Sequence, residues 1–212
     1  AFTVLILFAP ALIFSDVVTF KVGLFVPRAK SDLWDIEFEN MTFNKTDFAN
    51  TNFGFGYEYF LANEISVVLN IEGYNRQKSG TYEGFVGFED PDGDWAYPDV
   101  YKGDFSPTHV FSVSSTPIQV SLKVTPLGRR NKFIPYIGGG GGVYLWNIRL
   151  QGDMIDFSDE WYDIANEVSI FPITSINSRE ENKLKIGYHV FAGIMVPVAN
   201  RISVEAEFKY NF

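Results

Sequence analysis

Chemistry in this chain has few places to begin. Its 212 residues contain two histidines, His109 and His189, and no cysteine, which removes thiolate nucleophiles, disulfides and cysteine metal sites. A nucleophile next to either histidine is the requirement for acyl transfer, and no serine stands in an obvious partnering pattern. Asp90-Pro91-Asp92-Gly93-Asp94 sets three carboxylates around a turn, hard oxygen donors of the kind Ca²⁺ takes. The stretch is shorter than a calcium-binding loop and ends without a bidentate glutamate, so an ordinary Pro-Asp-Gly turn is the simpler reading. The glycine run at 138–142 suggests a phosphate loop, but no Lys-Ser/Thr pair or helix start follows it. Glycines there leave room for Phe and Tyr side chains against a strongly curved strand. No cofactor is implied.

What remains is a set of charges at alternating positions. Lys21, Glu58, Glu72, Lys123, Arg149, Lys183, Lys185, His189, Glu205, Glu207 and Lys209 each sit one residue away from apolar neighbours in alternating runs. Period-two alternation is the signature of a strand, which sends successive side chains to opposite faces. The end of the chain shows it best: Ile202, Val204, Ala206, Phe208, Tyr210 and Phe212 share one face, and Ser203, Glu205, Glu207, Lys209 and Asn211 the other. Comparable runs predict strands near 17–26, 52–59, 65–72, 109–124, 132–150 and 183–196, seven in all. In the fourth of these, Phe111 and Val113 fall out of phase with Ile118, Val120 and Leu122, which predicts a bulge near 115–117.

Connections at 61–64, 126–131 and 198–201 are short, whereas those at 28–49, 76–108 and 151–182 are long. Short and long alternate along the chain, as an up-and-down barrel with tight turns at one end and loops at the other requires. The long connections hold five, seven and eight acidic residues, 20 of the 26 in the chain. One end is therefore strongly negative, suited to solvation, to bridging divalent ions or to an external ligand. The net charge of −9 excludes a nucleic-acid binder.

Residues 1–14 are apolar apart from Thr3, with Pro10 among them. That length fits a secretory core better than a membrane span of roughly 20 residues. Residues 1–16 are read as a targeting remnant, with Ala9-Pro10-Ala11 or Ser15 marking cleavage and a buried first strand or helix as the alternative, and residues 17–212 as one domain. Single-chain bacterial barrels have an even strand number, so seven strands predict an eighth beyond Phe212, unless two strands are merged or the first residues are misread.

Aromatic residues make up 17% of the chain and its mean hydropathy is zero, a mixture suited to strands with one face in lipid and one in a polar interior. The Lys21-Val22-Gly23-Leu24 strand closed by Pro27, the Phe53-Gly54-Phe55-Gly56-Tyr57 strand and the Pro135-Tyr136-Ile137-Gly138-Gly139-Gly140 strand start resemble the small outer-membrane β-barrel superfamily that includes the OmpA membrane domain, OmpX and OmpW. The resemblance covers 17–212. It implies an all-β, up-and-down antiparallel transmembrane barrel of eight strands in a bacterial outer membrane. It further implies contact with lipid and lipopolysaccharide, insertion by the barrel-assembly machinery, and a monomer. The charges named above would then form a lumen network. A structural or surface-interaction role without catalysis is expected, with a narrow channel and a lipid A-modifying enzyme as alternatives. A lipocalin-like soluble barrel has the same strands with the faces reversed, and parity alone does not choose between them.

Overall fold

The computed structural model describes residues 2–7, 17–27, 39–129, 131–199 and 202–212. They form an all-β, antiparallel, up-and-down sheet of strands β1 (Phe2–Leu7), β2 (Val17–Phe25), β3 (Asn50–Phe60), β4 (Ile65–Thr81), β5 (Phe85–Phe88), β6 (Asp94–Pro98), β7 (Thr108–Val124), β8 (Ile134–Ile155), β9 (Trp161–Asp163), β10 (Val168–Ala199) and β11 (Ile202–Asn211), with one 3-10 turn at Lys45–Phe48. Neighbours run β1, β2, β3, β4, β7, β8, β10, β11, and β1 also pairs with β11. β5 and β6 form a hairpin whose second strand joins β10, and β9 pairs with the start of β10.

Several expectations change. Phe2–Leu7, inside the segment read as a targeting remnant, is a strand, with Phe2 opposite both Leu24 and Phe208. It occupies the sheet position assigned above to a strand beyond Phe212. A short run of apolar residues has the same composition in a strand as in a secretory core, so hydropathy alone could not separate them. The candidate cleavage positions lie outside the described residues. The long connections are not simple loops either: β4, β8 and β10 run well into them, and β5, β6 and β9 lie wholly within them.

The bulge predicted in β7 is also absent. β7 keeps one unbroken register against β8 from His109↔Gly152 to Val124↔Ile137. The odd-numbered residues of β7 stay on the buried face throughout. The change lies in composition. Gln119, Ser121 and Lys123 are buried toward one end of that face, and Phe111 and Val113 toward the other. On the opposite face Ile118, Val120 and Leu122 give way to Thr116, Ser114 and Ser112. β4 switches in the same way, with Leu69 and Ile71 followed by Gly73, Asn75 and Gln77 on its outer face. On β7 both faces change at this level, and on β4 the outer face does.

Candidate functional site

The buried face of the first level is polar. Glycines at 138, 140 and 142 on β8 face inward, and a Cβ on any of them would collide with a carbonyl oxygen of β7, that of Leu122, Val120 or Ile118 respectively. Their bareness lets β7 and β8 approach closely and lets Phe191 lie over Gly138, the role expected of the glycine run.

Around this wall, four carboxylates, Glu58, Glu72, Glu205 and Glu207, face three ammonium groups, Lys21, Lys123 and Lys209, and all seven residues are buried. Lys123 Nζ lies 3.1 Å from Glu58 Oε2 and 3.5 Å from Glu205 Oε1, and 4.1 Å above the Tyr136 ring. Ser66 donates to Glu58 Oε1 at 2.5 Å, and the Tyr136 hydroxyl donates to Glu207 Oε2 at 3.3 Å. Lys21 donates to the other Glu207 oxygen at 3.3 Å and stands 3.9 Å from Glu72. Lys209 donates to Glu72 and to Gln119 Oε1, the latter at 3.0 Å. Gln119 in turn donates to Tyr144 and Asn211, so most of these ions have several partners, the condition for tolerating buried charge.

Of the candidate lumen residues, Lys21, Glu58, Glu72, Lys123, His189, Glu205, Glu207 and Lys209 are gathered here. Arg149, Lys183 and Lys185 are not buried. Lys183 and Lys185 pair with Trp146 and Tyr144 beyond the level where β11 ends at Asn211, so the interior is open beside them. Arg149 falls on the outer face because the inward residues of β8 are even-numbered, Tyr144 and Leu150 among them.

One partnership escaped sequence reasoning. Ser121 Oγ and His189 Nε2 are 2.7 Å apart and buried. Ser121 shares the inward parity of Lys123, which was the available signal; that β8 brings it opposite His189 was not legible. His189 Nδ1 has no hydrogen-bond partner and the ring stacks on Phe191.

The second level is apolar. Met41, Phe43, Phe48, Tyr74, Tyr82, Phe111, Val113, Leu150, Ile155 and Ile173 pack into one cluster that caps the charges. Part of it folds in from the connection after β2. Asn44 caps the 3-10 turn by accepting from Thr46 N, and the turn presents Phe48 edge-on to Phe43 and Phe111 at 5.6 and 5.5 Å. Tyr74 donates to the Phe48 carbonyl and Arg76 to that of Asp47. His109 is fully buried here, its ring 5.3 Å from that of Tyr82.

Beyond the cap, the β5–β6 hairpin and the β9–β10 turn are clasped together. Tyr97 donates to Asp163 Oδ2, Tyr101 donates to the Asn166 carbonyl, and Trp95 meets Trp161 edge-on at 5.6 Å. The Asn166 amide holds the Asp163 carboxyl below the usual aspartate range, and the Ser158 hydroxyl does the same for Asp156. Burial, and then the bond to Asp163, push Tyr97 up. Asp90 and Asp92 lie in the β5–β6 turn and Asp94 opens β6; Asp90 accepts from Asp92 N at 3.0 Å and from Gly93 N through its carbonyl. That is the Pro-Asp-Gly turn. Among the described residues no group of three or more His, Asp or Glu side chains is arranged to hold a metal ion.

No family model, curated protein or solved structure matches the chain.

Proposed function

We propose that this chain is an eight-stranded transmembrane β-barrel of a bacterial outer membrane with a structural or surface-interaction role. The observation that carries the reading is the inverted distribution of side chains. Charged and polar residues fill the buried face, while Phe20, Phe53, Phe55, Leu69, Val120, Val190 and Phe208 stand 42–62% exposed on the other. A soluble monomer rarely exposes a contiguous apolar patch larger than a few hundred Å², and a lipocalin-like barrel carries its apolar face inside. Lipid makes this arrangement favourable, since the outer side chains leave water and the strands satisfy one another's backbone groups.

The pairing pattern supports closure. β1 pairs with both β2 and β11, and β11 with β10, the pairing that a closed barrel without bare edges needs. The level at which the faces invert on β4 and β7 is the outer boundary of the lipid band, with lipopolysaccharide around it. The barrel-assembly machinery inserts the chain, and the monomer suffices. The acidic hairpins face outward.

Heat-modifiable gel migration of detergent-extracted protein tests the reading. The expected result is a compact unboiled band that shifts on boiling. A chain that migrates identically boiled and unboiled, and stays dispersed in buffer without detergent, overturns it.

A further inference from the structure

We infer that the clasped outer hairpins form a docking platform for a basic, amphipathic polypeptide of another protein. The inference rests on the surface-interaction reading above and names the partner class. Val100, just after β6, Trp161 and Tyr162, in β9, and Ile164, in the turn after β9, are 82, 56, 63 and 84% exposed. The Tyr97–Asp163 and Tyr101–Asn166 hydrogen bonds and the Trp95–Trp161 contact lock the two segments that carry them to each other. The result is a pre-organised apolar and aromatic surface well above the lipid band, where lipid cannot cover it.

Charge selects the occupant. Residues 83–104 and 153–167 contain 13 acidic side chains and one basic one, Lys102. A second copy of this chain presents the same negative face and is repelled, as are nucleic acid and the phosphates of lipopolysaccharide. A divalent ion lacks a cage, since no three of the described carboxylates converge. A neutral glycan could stack on Trp161 and Tyr162 but gains nothing from the charge. Lysine- and arginine-rich segments gain twice, from the acidic field and from cation–π contact with exposed indole and phenol faces, and aliphatic side chains between the basic residues cover Val100 and Ile164.

The test uses the full chain in zwitterionic lipid nanodiscs, after heat-modifiable migration has shown it folded. Fluorescence anisotropy follows a labelled lysine–leucine amphipathic peptide and an oligolysine of equal charge, with empty nanodiscs as reference. Tighter binding of the amphipathic peptide is expected, weakened about tenfold by Val100→Ser with Ile164→Ser, which removes most of two aliphatic contacts. Weakening by salt, and by Asp159→Asn with Glu160→Gln, is also expected. Equal binding of the two peptides, indifference to the Val100 and Ile164 changes, a requirement for Ca²⁺, or self-association in place of binding each overturns the inference. A chain that shows no heat shift fails the barrel reading instead, so the two failures are distinct.

Discussion

Lys123 is the side chain on which the buried network leans most. It is the cation within 4 Å of both Glu58 and Glu205, so Lys123→Met leaves two carboxylates facing each other without it. Removing one partner of a buried pair costs about 3–5 kcal/mol, because the uncompensated charge remains. Lys123→Met is therefore expected to lower the temperature at which the compact band is lost, and adding Glu205→Gln to recover part of that loss. Full recovery is not expected, since Glu58 keeps its charge. Asp163 behaves differently because it is only partly buried. Its carboxyl is held below the ordinary aspartate value of about 3.9. Its contribution to the clasp is therefore complete above that value and disappears as pH falls through the lower, folded-state pKa. Tryptophan fluorescence from Trp95 and Trp161 is expected to change in that acid window. Asn166→Ala should move the midpoint upward; an unchanged midpoint would show that the amide does not set it.

At the scale of elements, β8 depends on which face each glycine occupies. Gly140→Ala drives a methyl into the β7 backbone at Val120 and Ser121, whereas a Cβ on Gly141 meets only the Gly187 carbonyl at 3.5 Å. Gly140→Ala is expected to destabilise by about 1–3 kcal/mol, and Gly141→Ala to be neutral or slightly stabilising, since alanine loses less chain entropy. Urea unfolding from lipid vesicles separates the pair, and equal effects would mean that β8 does not approach β7 closely. The alternation that placed Lys21, Glu58, Glu72 and Lys123 on one face was fully legible in sequence, because parity needs only the neighbouring residues. Phe111, Val113 and Arg149 were misread because parity was judged by hydropathy. On β7 and β8 the inward face changes from polar to apolar while the register runs on, so chemistry reverses and direction does not. The strand at β1 was not legible: its residues, apolar apart from Thr3, lack period-two alternation, and nearly half of its pairing is with Phe208 to Val204, about 200 positions away.

In the proposed barrel the described residues stack two seals along one axis. The charge network fills the level surrounded by the apolar wall, and the Phe43, Phe48 and Phe111 cluster fills the level above it. In the eight-stranded barrel proposed above the interior is only just wide enough for side chains, so on that reading either level alone blocks a continuous water path. Seals in series give a prediction that one seal does not. The parent chain is expected to give no reproducible conductance steps in planar bilayers, and Phe48→Ala with Phe111→Ala to remain silent, because the ions below still fill the wall. Lys123→Ala with Glu205→Ala is expected to remain silent too, because the aromatic cap above is untouched. Steps are expected only when all four substitutions are combined, in protein that still shows the heat-dependent band shift. Conductance from either pair alone would show that its level was the sole barrier, and conductance from the parent chain would make the lumen a channel.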